Sequence, residues 1–255
     1  MLGLGNTLSA GVALDEFTAA SISSLDLWYD FSALTGSDED EISDVSNKGD
    51  GGSNYDLAPP GAEIPTLDTS TLNLNSIKFD NGGERFQLDN HYTTTGQTFS
   101  IFVVYKRTNI TDTDLFLAGQ TSGRNQFYLY SNNRTVVLKC NGDGGSSNSH
   151  GTVVCNNTNN SSVSYEFGTG TEIIVLTRDA SEVIKVYNQA GNFIGQGTNP
   201  TTSSDTNIII DFVGAQSGQS NPYGGNVGEV GVYNKTLSAD EVSSLITHLV
   251  AKWGI

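Results

Sequence analysis

Carboxylates are the reactive side chains that cluster most densely in this sequence, and the densest cluster lies in one stretch with loop-like composition. Residues 38–41 read Asp-Glu-Asp-Glu, and Asp44 and Asp50 follow among Gly, Ser and Asn residues. Carboxylate oxygens in a loop are ligands that Ca²⁺ prefers. Because the acid spacing of an EF-hand loop is absent, a solvated acidic loop is the simpler interpretation, and calcium binding is the alternative. No other cofactor is predicted.

Paired carboxylates at strand spacing would indicate glycoside hydrolysis, and the sequence lacks them. Retaining glycosidases hold two carboxyl groups about 5 Å apart, which on a strand requires acids at i and i+2 or i+4. Glu229 stands alone in its strand-like run, and the histidines at 91, 150 and 248 are scattered. The motifs of serine hydrolases and P-loop nucleotide-binding proteins are also missing. The sequence therefore predicts a protein that is not an enzyme.

Aromatic rings beside amide and imidazole groups indicate a different chemistry, the binding of sugars. A ring face can pack against the apolar side of a pyranose while polar groups bond its hydroxyls. The candidate glycan contacts, all in turn-like stretches, are His91, Tyr92, Asn157 and Tyr223. Trp28 and Trp253 are not among them, because each is expected on the buried stripe of its element.

The two cysteines lie in one predicted hairpin. Cys140 ends a Val-Val-Leu-Lys-Cys run and Cys155 ends a Gly-Thr-Val-Val-Cys run, with a loop of Gly, Ser and Asn between them. If antiparallel pairing sets Cys140 opposite Cys155, a disulfide would stabilise the fold by about 3 kcal/mol. Two reduced thiols are the equal alternative, because the cytosol keeps thiols reduced.

The charge balance of the chain is strongly acidic. The 255 residues include 28 Asp and Glu against 12 Lys and Arg, which gives a formal net charge of −16. Such a chain cannot use the phosphate neutralisation that drives nucleic-acid binding, and anionic membrane surfaces repel it. No stretch approaches the roughly 18 apolar residues of a membrane span. We therefore expect neither nucleic acid nor membrane among its partners.

The elements that must position these groups are clearest at the end of the chain. Residues 227–234 alternate as a half-buried strand, and Ser238 and Glu241 have the spacing of a capping box. Six apolar residues after the cap form one helical stripe: Val242, Leu245, Ile246, Leu249, Val250 and Trp253. The pattern predicts a helix over Ser238–Lys252 that packs on the rest of the domain, with Gly254 at its end.

Short strand-like runs fill much of the remaining chain. The main runs are 76–80, 85–88, 98–106, 115–119, 126–131, 135–140, 172–178, 182–188, 193–196 and 207–213. Their spacing of roughly ten residues is typical of an all-β sandwich or jelly roll. The run 98–106 is apolar on both faces, so we expect it to be buried on both sides. Asn81-Gly82-Gly83 predicts a hairpin between the first two runs.

Three segments resemble one protein superfamily. The stretch GEVGVYNKTLSADEV (228–242), followed by HLVAKWGI, is similar to the closing strand and helix of the concanavalin A-like lectin/glucanase superfamily, in its laminin G-like branch. SLDLWYDFSAL (24–34) resembles its opening strand, and SIKFDNGGERFQL (76–88) resembles a strand pair. The resemblance implies a concanavalin A-like jelly-roll β-sandwich over residues 21–255, with Glu229 in a structural position.

The opening of the chain carries a second resemblance. MLGLGNTLSAGVALDEFTAASISSLDLW (1–28) is similar to the start of virion structural proteins from tailed phages of marine bacteria, in which such an arm leads into a laminin G-like domain. This implies that residues 1–20 form an N-terminal anchoring arm. The apolar side chains expected to enter a groove of a partner protein are Leu2, Leu4, Leu8, Val12 and Leu14.

The function expected from these two resemblances is that of a non-enzymatic virion structural protein, either a capsid decoration protein or a fibre component. It would be assembled in the host cytoplasm and then be extracellular. Its partners would be other virion proteins and a host-surface glycan, and a fibre role would involve self-association as a homo-oligomer. The alternative is a carbohydrate-binding, lectin-like module for host-surface adhesion, calcium-dependent or not, for which the arm should be dispensable.

Overall fold

The computed structural model describes residues 17–96, 98–108, 114–119, 127–132, 135–141, 150–155, 168–181, 183–198, 208–215 and 222–255. The five apolar arm residues, from Leu2 to Leu14, and the candidate glycan contact Asn157 lie outside these ranges. The described end of the arm packs on the domain, because Ala19 is fully buried and its carbonyl accepts a hydrogen bond of 2.9 Å from the Tyr233 hydroxyl.

Two antiparallel sheets form the described part of the chain. The strands of the first sheet are β1 (Leu25–Asp30), β3 (Thr66–Asp68), β4 (Ser76–Asp80), β6 (Phe99–Arg107), β11 (Thr171–Arg178), β12 (Val183–Asn188), β13 (Phe193–Thr198) and β15 (Gly224–Tyr233). Those of the second are β2 (Leu57–Ala58), β5 (Phe86–Thr93), β7 (Asp114–Ala118), β8 (Phe127–Asn132), β9 (Thr135–Asn141), β10 (His150–Cys155) and β14 (Ile209–Val213).

The strand order places β15 at the centre of the first sheet. That sheet runs β13-β12-β11-β6-β15-β4-β3, and the second runs β10-β9-β8-β7-β14-β5-β2. Both β4 and β1 pair with β15, β4 with its first residues and β1 with its last. The first strand and the last strand of the described chain are therefore direct neighbours.

The first sheet is buried on both faces because the core lies on one side and the terminal helix on the other. Along β6, Ile101 and Val103 face the core between the sheets, whereas Phe102 and Val104 belong to the cluster beneath the helix. The prediction that this run is buried on both sides is confirmed. The helix thus covers the outer face of one sheet only.

The terminal helix α1 spans Ala239–Trp253, one residue later at each end than the predicted range. Its capping box is as predicted, since the Ser238 hydroxyl accepts from the Glu241 amide and the Glu241 carboxylate accepts from the Ser238 amide. Gly254 ends the helix with a left-handed φ of 66°, which glycine adopts at low cost. Leu245, Leu249 and Trp253 are buried on the predicted stripe.

The predicted hairpin at Asn81-Gly82-Gly83 is wrong, because β4 belongs to the first sheet and β5 to the second. The connection crosses from one sheet to the other, and Phe79 and Phe86 then meet inside the core with ring centroids 6.2 Å apart. A turn-forming triplet fits both a hairpin and such a crossing, so apolar contacts between the sheets decide the outcome.

The cysteine pairing considered from the sequence is also wrong. The strands β9 and β10 do pair antiparallel, but Cys140 lies opposite Gly151 and Cys155 lies opposite Val136. Four strand positions separate the cysteines, roughly 13 Å at the rise of an extended chain. A disulfide requires Cα atoms closer than about 7 Å, so this register favours two thiols.

Candidate functional site

A buried carboxylate on the central strand of the first sheet links β1 to the terminal helix. Glu229 on β15 is fully buried, and its Oε1 accepts a hydrogen bond of 2.7 Å from the indole Nε1 of Trp28 on β1. Its Oε2 accepts bonds from Lys252 Nζ at 2.7 Å and from Trp253 Nε1 at 3.1 Å, both on α1. The lone strand carboxylate that the family resemblance marks as structural therefore joins the first strand, the last strand and the helix.

An open groove lies beside this network, between β1 and the last turns of α1. It has a volume of about 350 Å³, and its lining residues are Thr18, Trp28, Asp30, His248, Ala251 and Lys252. An aromatic ring, a carboxylate, an ammonium group, an imidazole and a hydroxyl thus meet in one concave surface. We call it the Trp28 groove.

Trp28 is half-buried, and it lies on the opposite face of β1 from the one expected. Leu27 and Tyr29 face the core between the sheets, so Trp28 and Asp30 point to the outer side, whereas Leu25, before an irregularity in the β1–β15 pairing, packs in the cluster beneath the helix. The expectation that Trp28 lies on the buried stripe was therefore wrong, whereas Trp253 is 1% exposed as expected. The alternation over Leu27–Asp30 was the signal that could have identified Trp28.

Asp30 is held in place by two lysines. Its Oδ1 accepts from Lys252 Nζ at 2.7 Å and from the Ser32 hydroxyl at 2.5 Å, and its Oδ2 accepts from Lys48 Nζ at 3.2 Å. Burial opposes ionisation of Asp30, but the hydrogen bonds from Lys252 and Ser32 and the charges of both lysines outweigh it, so the pKa of this carboxyl lies below its usual value. Asp30 is therefore an anion across the physiological pH range.

The cationic side chains of this cluster lie nearer to solvent than the anionic ones. The Lys48 side chain is 38% exposed and Lys252 is 18% exposed, against 12% for Asp30 and 0% for Glu229. Lys48 Nζ also lies 5.7 Å from the centre of a Trp28 ring, within the range of a cation–π attraction. Lys252 therefore lines the groove and Lys48 lies beside it, and both ammonium groups are nearer to solvent than the carboxylates that they bind.

Two of the predicted glycan contacts are core residues. Tyr92 is 2% exposed, and its hydroxyl donates a bond of 2.9 Å to Asp26 Oδ2. Tyr223 is fully buried, and its hydroxyl donates to the Lys106 carbonyl at 2.9 Å. Neither ring offers a face to a sugar, so the sequence interpretation of Tyr92 and Tyr223 was wrong. Each hydroxyl donates to an acceptor inside the protein, so tyrosine can be buried at these positions without an unsatisfied polar group.

His91 is exposed but lies on the other sheet, away from the Trp28 groove. Its side chain is 59% exposed and its Nδ1 contacts Asp211 Oδ1, while the Asp211 side chain is only 2% exposed. Burial raises the pKa of Asp211, and the hydrogen bond and charge of His91 partly oppose this rise. The described members of the predicted contact set do not converge on one surface.

The acidic loop disperses its carboxylates among separate partners. Asp38 accepts from the Thr69 amide at 3.0 Å, Glu39 pairs with Lys78 at 2.9 Å, and Asp40 accepts from the Ser37 amide at 2.6 Å. In the described part of the chain, no three His, Cys, Asp or Glu side chains come together as a metal site. Nor does any described helix have the length and apolar character to cross a membrane.

Solved structures share this architecture. The sequence matches no family model and no curated protein. The binding domain of botulinum neurotoxin serotype G aligns with a TM-score of 0.61 at 11% identity, over 90% of this chain and 54% of that one. The binding domain of Paraclostridial Mosquitocidal Protein 1 aligns with a TM-score of 0.57 at 13% identity, over 88% and 52%.

A third structure is matched over nearly its whole length. It is domain 4 of AbnA, an extracellular arabinanase from Geobacillus stearothermophilus, in complex with arabinotriose, with a TM-score of 0.53 and 15% identity over 88% of this chain and 98% of that one. This chain spans about half the length of the two toxin binding domains.

The fold is thus an all-β, concanavalin A-like jelly-roll sandwich with one C-terminal helix, as the sequence predicts. The laminin G-like branch and the virion role stay predictions.

Proposed function

We propose that this protein is a carbohydrate-binding, lectin-like module and that the Trp28 groove is its sugar-binding site. The observation that carries the proposal is a half-buried indole, fixed through its N–H by the buried Glu229 carboxylate, in an open groove lined by charged and polar side chains. A concave surface that joins aromatic and convergent polar groups is the usual form of a ligand site.

The groove has the chemistry that a saccharide requires. The apolar face of a pyranose packs on the exposed part of the Trp28 ring, while Thr18, His248 and Lys252 offer hydrogen-bonding groups to its hydroxyls. The ring does not have to be ordered on binding, because its Nε1 already donates to Glu229 at 2.7 Å. A site whose side chains are held by a second layer of hydrogen bonds loses less entropy when the ligand binds.

The likeness to solved structures supports this class of function without identifying the ligand. A fold of this kind occurs in an arabinanase domain complexed with arabinotriose and in the binding domains of two protein toxins. At 11–15% identity these alignments establish a common fold. The residues of the Trp28 groove are what make the proposal specific to this chain.

Virion display remains a separate prediction that rests on the resemblance of residues 1–28. It is compatible with glycan binding, because a sugar-binding module on a particle would attach that particle to a host surface. The absence of catalysis also stays a prediction. It is supported by the hydrogen bonds that lysine and indole groups make to the Asp30 and Glu229 carboxylates.

A glycan array with the labelled wild-type chain and Trp28→Ala tests the sugar site. We expect the wild type to bind a subset of glycans and Trp28→Ala to lose at least tenfold in affinity for them. Tyr187→Ala is the matched control, because Tyr187 is a half-buried aromatic residue on the same apolar cluster outside the groove. Thermal unfolding of each variant establishes that it is folded.

His248→Ala and Thr18→Ala extend the test to two further lining residues of the groove. We expect each to weaken binding of the same glycans without a large change in melting temperature. An array on which the wild type binds nothing, or on which all groove variants bind as the wild type does, would refute the proposed function.

A further inference from the structure

At the Trp28 groove the charged groups nearest to solvent are cationic, although the protein as a whole is strongly acidic. The chain carries a formal net charge of −16, yet the most exposed charged groups of this cluster are the ammonium groups of Lys48 and Lys252. The carboxylates that balance them lie beneath, with Glu229 fully buried. In a protein with twelve Lys and Arg in total, two lysines beside one indole bring ammonium groups to the surface over carboxylates that are more deeply buried.

Each ammonium group retains hydrogen-bonding capacity. An ammonium group has three N–H donors. Lys48 Nζ makes one hydrogen bond, to Asp30, and Lys252 Nζ makes two, to Asp30 and Glu229. One donor of Lys252, which lines the groove, and two donors of Lys48, which lies beside it, therefore remain for a ligand.

We infer that the Trp28 groove selects acidic sugars, in which a saccharide ring bears a carboxylate or sulfate group. The inference rests on the proposed function, because it assigns the ligand class of the same site. The ring packs on Trp28, and the acidic group accepts hydrogen bonds from the free donors of Lys48 and Lys252. Hydrogen bonds between charged partners are about twice as strong as those between neutral ones, so the acidic group distinguishes this ligand from a neutral sugar.

The buried carboxylates do not cancel this preference. Asp30 and Glu229 fix the lysines in position, but their own oxygens are turned toward the lysines and the indole N–H groups. A ligand at the mouth meets the exposed ammonium groups first. The long-range repulsion between an acidic glycan and this anionic protein is screened beyond about 8–10 Å at ordinary salt, whereas a direct contact is not.

The binding of trigalacturonate and of its methyl ester tests the inference, because the two share their rings and differ in charge. Quenching of indole fluorescence reports the binding, since the chain has two tryptophans and Trp253 is 1% exposed. We expect the acid to bind at least tenfold more tightly than the ester. Lys48→Gln should remove most of that difference, because Lys48 makes a single side-chain bond, to Asp30.

Lys185→Gln is the matched control, because Lys185 lies on β12 outside the groove; it should leave the preference unchanged. A sulfated disaccharide forms a third arm. If the sulfated sugar binds and trigalacturonate does not, and if Lys48→Gln weakens that binding, the inference is supported and the acidic group is a sulfate. Binding of the acid with the same loss assigns carboxylate.

Equal binding of acid and ester at the groove overturns the inference and leaves the proposed function standing. A preference for the acid that survives in Lys48→Gln also overturns it, because the preference would then arise elsewhere. If no acidic sugar binds while the glycan array gives Trp28-dependent neutral ligands, the inference alone fails. If neither experiment gives binding, both proposals fail.

Discussion

Removal of the Glu229 carboxylate tests the buried network most directly. In Glu229→Leu, the Lys252 ammonium and the indole N–H groups of Trp28 and Trp253 lose their common acceptor. Breaking a buried ion pair by removing one partner costs about 3–5 kcal/mol. Because Lys252 keeps Asp30 as a partner at 2.7 Å, we expect a loss of about 3–4 kcal/mol in the free energy of unfolding, the lower part of that range.

The double variant Glu229→Leu/Lys252→Met separates the free energy of the Glu229–Lys252 ion pair from the other contributions of the two side chains to stability. Lys252→Met alone leaves Glu229 buried with two indole donors, so we expect a loss of about 2–3 kcal/mol. Because the double variant has no unpaired charge at this position, its loss should be smaller than the sum of the single losses by about 1–3 kcal/mol. Urea unfolding followed by circular dichroism measures all three.

Lys78→Met is the control for a lysine paired at the surface. Lys78 bonds Glu39 at 2.9 Å with the two side chains 29% and 56% exposed, and exposed pairs contribute about 0–1 kcal/mol. A loss below about 1 kcal/mol in Glu229→Leu, the level of a surface pair, would refute the reasoning. So would strict additivity in the double variant.

Three further predictions concern packing, pH and the arm. Gly228→Ala should cost about 1–3 kcal/mol, because an added Cβ would lie 2.5 Å from the Trp253 ring, whereas Gly170→Ala, which meets no atom within 4 Å, should be nearly neutral in the same thermal unfolding assay. The lowered pKa of Asp30 means that its ionised form stabilises the fold above the pKa of the unfolded chain, about 3.9, and that this contribution is lost as pH falls through the folded-state value. The stability difference between the wild type and Asp30→Asn should therefore shrink in acid, and a pH-independent difference would contradict this. Deletion of residues 2–14 should leave glycan binding intact but abolish incorporation into particles, and wild-type incorporation of the truncated chain would exclude an anchoring role.

Local periodicity predicted the elements whose environment is simple. The helix and its cap follow from a stripe of apolar residues and the pair Ser238 and Glu241, all within one short segment. The doubly buried strand β6 was predicted because both of its faces are apolar. In each case the deciding contacts lie within the element, or against a surface that accepts any apolar residue of suitable size.

The wrong predictions share a physical cause. Which strands pair, and in which register, depends on segments that are distant in sequence. Nothing within residues 76–88 distinguishes a hairpin from a crossing between sheets. The offset between Cys140 and Cys155 is likewise set by the pairing of β9 with its neighbours. Tyr92 was misassigned because β5 extends to Thr93, beyond the predicted run 85–88, and Tyr92 faces the core on the same alternation as Phe86 and Leu88.

The Trp28 groove was predictable only in part. Alternation of Leu27 and Tyr29 with Trp28 and Asp30 places the latter two together on the outer face of β1. The sequence does not indicate that Lys252 and His248 approach the same face, because that depends on how the helix lies across the sheet. A site assembled from the two ends of a chain has no local signature.

The distance along the chain between Trp28 and Glu229 sets the order of events during synthesis. The two hydrogen-bonded residues are 201 positions apart, and ribosomes add about 5–20 residues per second. After β1 leaves the ribosome, roughly 10–40 s pass before its neighbour β15 emerges. Until then the edge of β1 that will pair with β15 is open to chaperones or to other nascent strands. A chain released before residues 226–255 are made therefore lacks the groove, so ligand binding would report that β15 and the helix had been made.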